Sequence, residues 1–268
     1  MKKLYIVVFS LLPCMLLSQI DSRVQFGIHG LADIPIRSQM PKMSTNYGGG
    51  AFLSVKPHRR VPLFIEVRGS IGQYSSKTST ETFIFDDGST TVTDVTFRSL
   101  MSKVQLGTKV YLTPAYRQVK PYVMPTIGYN FMRSRIRIAD PMDEDDCQPL
   151  VNRLSHGSTG FTYGLEAGVE LDVIGMIKGE ERSGKLYFSV AYLSSARKMD
   201  YINIRYMSDH EHGVHEGEHG GTSQADGRPL TTDFVNVSSN DLHSHKIAEV
   251  YNTYLRFINV NVGYVWYF

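Results

Sequence analysis

Cysteine is nearly missing from this chain: its 268 residues contain Cys14 and Cys147 alone. Cys14 lies in the apolar amino-terminal segment, with Pro13 where lipidation would need a small residue. If that segment is removed, one cysteine remains, so no internal disulfide can form and the fold has to hold without one. Long apolar runs are absent after residue 17, which excludes a transmembrane helix there. Charge of either sign is not in excess. The 28 Lys and Arg face 26 Asp and Glu, and loss of Lys2 and Lys3 with a leader brings the formal charge of +2 close to zero. A nucleic-acid partner is therefore not expected. Tryptophan occurs once, whereas tyrosine occurs 16 times and phenylalanine 13 times.

Lys2 and Lys3 precede an apolar run from Leu4 to Leu17, followed by Ser18 and Gln19. A basic start and an apolar stretch too short to span a bilayer predict a secretory signal over residues 1–19. The mature chain, residues 20–268, is then one domain if the fold is all-β.

What fills the mature chain is alternation. A period of two sends alternate side chains to opposite faces of a strand. Eight segments show it: about Ser22 to Asp33, Gly48 to Lys56, a third from Val61, a fourth ending at Leu112, Val119 to Ile138, 158–173, a seventh around Lys185 to Tyr192, and a last one from near Val250. The sixth is the cleanest, with Phe161, Tyr163, Leu165, Ala167 and Val169 against Thr162, Gly164, Glu166, Gly168 and Glu170. The connections alternate in length. Residues 34–47, 75–94, 139–157 and 200–249 are long, while Pro57 to Arg60, Thr113 to Gln118 and 175–184 are short. Even strand number with short turns at one end and long loops at the other is the rule of membrane barrels. The expected fold is all-β: an eight-stranded antiparallel up-and-down transmembrane β-barrel with long extracellular loops and both termini periplasmic. Lipid offers no hydrogen-bond partners, so such a sheet must close on itself. Pro125 falls inside the fifth strand and removes one ladder donor, which predicts a bulge or a weakened pair.

The inward parity gathers charges of both signs: Arg23, Lys56, Glu66, Arg68, Lys103, Lys109, Glu166, Glu170 and Asp172. Eight strands leave a lumen just wide enough for side chains to fill. Buried charges must be paired or hydrated, so these predict an internal ion-pair network; a narrow gated pore is the other reading.

Among the loops, Phe83-Ile84-Phe85 and Thr91 to Phe97 flank Asp86-Asp87-Gly88-Ser89. Asp-Gly between alternating runs predicts a hairpin that carries strands three and four beyond the membrane, with edges a partner strand could join. His210, His212, His215 and His219, with nearby carboxylates, form either a solvated flexible loop or a weak metal site; the spacing is irregular. Asp140, Asp143, Glu144, Asp145 and Asp146 read as a solvated acidic tip.

The last strand ends Asn261-Val262-Gly263-Tyr264-Val265-Trp266-Tyr267-Phe268. Asn261, Gly263, Trp266 and Phe268 hold the four defining positions of a pattern that resembles the terminal sorting signal of bacterial outer-membrane barrels. With it, the chain resembles the small outer-membrane β-barrel superfamily that includes OmpA, OmpX and the PorT-like proteins of Bacteroidetes. No periplasmic peptidoglycan-binding domain is expected. The resemblance implies an outer-membrane location, contact with outer-membrane lipid and with the barrel assembly machinery, and no cofactor. It also implies a non-enzymatic role as envelope scaffold, surface recognition protein or subunit of a secretion complex. A barrel passing a small solute through a lateral opening near Pro125 is the alternative. His156-Gly157-Ser158 with Glu170 resembles the His-x-Ser and acid of lipid A deacylases. On one uninterrupted strand, however, Ser158 and Glu170 stand ~40 Å apart at ~3.3 Å per residue, too far for a triad. No catalytic residues are expected.

Overall fold

The computed structural model describes residues 23–268 except 59–62, 85–89, 114–117, 140–150, 174–183, 204–227 and 236–241. The signal segment 1–19, the Asp86 to Ser89 turn, the Asp140 to Asp146 tip and His210, His212, His215 and His219 lie outside the described residues.

Nine strands make up the described chain: β1 (Val24–Pro35), β2 (Asn46–Val55), β3 (Leu63–Ile84), β4 (Thr90–Tyr111), β5 (Val119–Ile138), β6 (Val151–Leu171), β7 (Gly184–Asn203), β8 (Arg228–Val235) and β9 (Leu242–Tyr267). Each of β1 to β6 pairs antiparallel with the next, β7 pairs with β9, and β9 returns to β1. The closing ladder runs from Gln25 opposite Tyr267 to Pro35 opposite Phe257. Backbone bonds between Val24 and Phe268 extend it, at 2.8 and 3.2 Å. The result is the expected eight-stave closed antiparallel barrel.

Alternation decides which face is which. Ile65, Val67, Ile71, Val104, Leu106, Ile127, Leu165 and Val262 point outward and stay exposed, whereas Gln25, Glu66, Arg68, Lys103, Glu166 and Asn261 point inward and are buried. The inversion of the soluble pattern has one cause: the period-two register puts the polar side chains of these staves into the lumen. Trp266 stacks on Phe26 across the closing ladder at 5.8 Å and meets Tyr264 edge-on at 4.8 Å, on the outer face near the termini.

Several expectations are revised. The described residues include a ninth strand. β8 pairs with the far part of β9, from Val235 opposite Leu242 to Arg228 opposite Val250, beyond the point where β1 stops at Phe257. β9 therefore begins at Leu242 rather than near Val250, and β6 begins at Val151 rather than 158. At Pro125 the β4–β5 ladder lapses between the pairs Gly107–Thr126 and Val110–Val123 and resumes in the same register, so the proline weakens a pairing without making a bulge. β3 and β4 run on as a two-stranded ribbon to Ile84 opposite Thr90.

Candidate functional site

The lumen is the part of the molecule in which chemistry-bearing side chains converge, and it is layered. Nearest the termini lies an ionic layer. Glu66 and Arg68 come from adjacent inward positions of β3, Lys109 from β4, and Glu166 and Glu170 from β6. Arg68 bridges two staves on opposite walls: it lies 2.7 Å from Glu66 and 2.7 Å from Glu166. Its Nη2 also donates to Glu166 Oε1 at 3.1 Å, so the contact with Glu166 is bidentate. Lys109 sits 2.8 Å from Glu66 and 3.3 Å from Glu170. All five side chains are buried.

Hydroxyl groups complete the carboxylates. Ser54 donates to Glu66 at 2.9 Å, Tyr122 to Glu166 at 2.8 Å, and Tyr111 to Glu170 at 2.7 Å. Tyr267 also donates to Glu170. Aromatic faces receive the cations: Lys109 lies 4.8 Å from the Phe52 centroid and 4.9 Å from that of Tyr122, and Lys120 and Lys185 flank Tyr267 at 5.1 and 5.5 Å. Burial of the layer is offset because each of its five charges has both a counter-charge and a hydrogen bond.

A second node lies farther in. Lys103 donates to Asp33 at 2.6 Å, and Asn46 and Asn259 each donate to the same carboxylate at 2.7 Å. Asn261 extends the chain to Asn259 at 2.6 Å and to Ser189 at 3.1 Å. Between the two nodes His29 is buried against Phe52 and Tyr187, with ring centroids 6.3 Å away in both cases. Gly263 leaves the room these rings need, because a Cβ there would lie 2.1 Å from the Ile28 carbonyl and 2.6 Å from the Tyr187 ring.

The far end of the lumen is apolar. Met40 and Met43, from the segment between β1 and β2, pack with Tyr74, Met101, Met132, Leu193, Met199, Tyr201, Tyr251, Leu255 and Phe257. Met40 is completely buried. The segment is fastened from several sides: Ile36 N–H donates to the Arg256 carbonyl at 3.0 Å, Tyr201 to the Pro41 carbonyl at 2.7 Å, and Lys42 to Tyr251 at 2.9 Å. Methionine suits such a fill, since an unbranched thioether adapts to irregular space.

Of the residues expected in the lumen, the structure brings Glu66, Arg68, Lys109, Glu166 and Glu170 together, places Lys103 in the separate node with Asp33, and buries Asp172. Arg23 and Lys56 do not enter. Arg23 is exposed and Lys56 half-buried, just beyond the ends of β1 and β2, where the Lys56 N–H donates to the Arg23 carbonyl at 2.8 Å. Both carry inward parity, yet at this rim of the barrel neither side chain is buried. Sequence reasoning missed Asp33, Asn46, Asn259 and the methionine fill; Asp33 has inward parity in β1 and could have been found from it.

His156, Ser158 and Glu170 do not meet. β6 is one strand from Val151 to Leu171, and Glu170 is bound in the ionic layer. His156 Nε2 instead lies 3.1 Å from Asp200, and the Asp200 N–H donates to the Ser158 hydroxyl at 3.1 Å. No hydrogen bond joins His156 to Ser158 among the described residues. Asn261 and Gly263 line the lumen, Trp266 faces outward, and Phe268 closes the seam by its backbone.

No family model matches the chain, and no curated protein matches it. Among solved structures it is similar to Neisserial surface protein A, at 11% identity over 91% of this chain and 96% of that one, with a TM-score of 0.37. It is also similar to a major outer membrane protein from Thermus thermophilus, at 9% identity over 91% of this chain and 99% of that one, with a TM-score of 0.43.

Proposed function

We propose that this chain is a non-enzymatic outer-membrane β-barrel whose wall is scaffold and whose far end does the recognising. Its termini lie in the periplasm, its outer face meets outer-membrane lipid, and the barrel assembly machinery inserts it. The observation that carries this reading is the inside-out distribution of side chains: exposed apolar residues on the outer face of every stave, and a closed ionic layer within. A soluble barrel gains nothing from that arrangement, because burying ion pairs while exposing leucine and valine reverses the hydrophobic driving force.

The lumen argues for support rather than passage. Arg68 ties β3 to β6 across the cylinder, and the methionine-rich cluster fills the opposite end. The full chain in planar bilayers is expected to give no resolved single-channel current. A current with all loops intact would turn the reading toward solute transport.

Recognition is assigned to the β3–β4 ribbon. β2 stops pairing with β3 at Gln73, so from Tyr74 to Ile84 no described strand covers that edge. Such an edge accepts a partner strand through main-chain hydrogen bonds. Co-purification from native membranes in mild detergent tests this. A stoichiometric partner that disappears when residues 79–95 are replaced by Asn-Gly supports a complex subunit; a partner that stays bound removes the ribbon from the proposal.

A further inference from the structure

The outer face of β4 and β5 breaks its own pattern. Along β5 the outward side chains run from Val119 through Ile127 to Tyr129 and Phe131, then change to Arg133 and Arg135. The inward side chains change in the opposite sense, and Ile136 and Ile138 are buried. The apolar stretch from Val119 to Phe131 is twelve residue steps, ~40 Å of strand at ~3.3 Å each, or ~30 Å of height at a tilt of ~40°. That is about the thickness of a membrane barrel's apolar band. Tyr129 stands at its upper edge, edge-on to Phe161 of β6 at 5.7 Å. The arginines therefore begin where the hydrocarbon ends.

They are not alone. Arg98 of β4 is directly opposite Arg135, and Arg133 is the next outward residue along β5. All three are exposed. Like charges placed opposite each other on one face destabilise a sheet, and among the described residues no carboxylate pairs with any of the three. On the same face of β4, four residues before Arg98, Asp94 accepts from Thr80 at 2.7 Å. Arg137 continues the row but has a partner of its own, so nothing here depends on it. Beside Arg133 the facing residue is Gly157, exposed and without a side chain. A Cβ there would meet the Met132 carbonyl and Leu154 only at ordinary contact distance, 3.8 and 3.9 Å, so the missing side chain leaves a methyl-sized gap beside Arg133.

We propose that Arg98, Arg133 and Arg135 form a binding site for the anionic phosphate of a phosphorylated lipid headgroup in the leaflet at the far end of the barrel. Charge complementarity selects the occupant. Guanidinium binds phosphate through paired N–H donors, and the site stands at headgroup height above an aromatic belt. A bound phosphate turns the repulsion between Arg98 and Arg135 into shared coordination. The proposal rests on the outer-membrane reading given above.

The test uses the full chain in a neutral mild detergent, with diphosphorylated lipid A as the probe and bound lipid counted by native mass spectrometry. Wild type is expected to hold the diphosphorylated lipid at least ~10-fold more tightly than its enzymatically dephosphorylated form. The variant Arg98→Gln/Arg133→Gln/Arg135→Gln is expected to lose that preference while its folded form, seen by resistance to SDS without heating, persists. Equal retention of the two lipids by wild type overturns the proposal, as does an intact preference in the variant. Inorganic phosphate that displaces the lipid at equal concentration would make this a free-anion site and also overturn it. If the triple variant fails to fold, Arg135→Gln alone decides on the same criterion. Failure of the outer-membrane reading has another signature: a wild-type chain that is folded and monomeric without detergent.

Discussion

Arg68→Met is the most demanding perturbation of the lumen. Arg68 is 4% exposed and lies between Glu66 and Glu166, which are 1% and 2% exposed. Without it, Glu66 keeps Lys109 at 2.8 Å and Ser54 at 2.9 Å, so it remains neutralised. Among the described residues Glu166 keeps only the Tyr122 hydroxyl at 2.8 Å and loses its cation. Removing one partner of a buried ion pair costs about 3–5 kcal/mol, chiefly through the stranded charge. That is about two to nearly four decades in the unfolding equilibrium at ~1.4 kcal/mol per decade. The measurement is urea unfolding of the full chain in lipid vesicles, followed through the fluorescence of Trp266, the single tryptophan. Adding Glu166→Gln removes the stranded charge, and the double variant should regain at least half of the loss. A loss below ~1 kcal/mol, the value of a solvent-exposed pair, would refute the reasoning: water would then reach Arg68, and the lumen would be hydrated through the ionic layer.

Gly263→Ala should cost about 1–3 kcal/mol by overpacking, because the new Cβ lies 2.1 Å from a carbonyl oxygen that belongs to the closing ladder; the urea midpoint should fall while the slope is unchanged. Met40→Asp places an unpaired carboxylate in the apolar cluster. Either stability falls by a similar amount or the segment leaves the lumen and a bilayer current appears, and a variant that is both silent and as stable as wild type would contradict the packing described. Ser158→Ala should leave the acyl pattern of lipid A from native membranes unchanged by mass spectrometry, since the Ser158 hydroxyl is an acceptor for the Asp200 backbone.

The staves were legible because the outer face and the lumen make opposite demands on alternate residues, which makes parity a strong signal wherever both faces are constrained. Phe161 to Leu171 shows this best, with its apolar and polar positions on the faces that alternation assigns them. Parity failed where one constraint lapses. Arg23 and Lys56 stand at the rim, one residue outside β1 and β2, where inward direction does not by itself imply burial. β8 and the first part of β9 lie beyond the other staves, and runs such as Leu242-His243-Ser244-His245 carry no lipid-facing pattern. Met40 and Met43 sit in a turn, where periodicity says nothing about depth. The ionic layer presented a different difficulty. Its members were visible by type and parity, but their partners depend on the stagger between staves, and Arg68 reaches Glu166 across the cylinder rather than along a strand.

The seam between β1 and β9 has a consequence for biogenesis. It pairs residues more than two hundred positions apart, Gln25 with Tyr267 among them. Until those last residues have been synthesised, the growing sheet keeps two raw edges and the charges meant for its interior have no enclosure. Enclosure therefore waits on the longest-range pairing in the sheet. A chain clipped ahead of Trp266 would lose the partners of Gln25 and Phe26 and leave the rim of the seam unzipped.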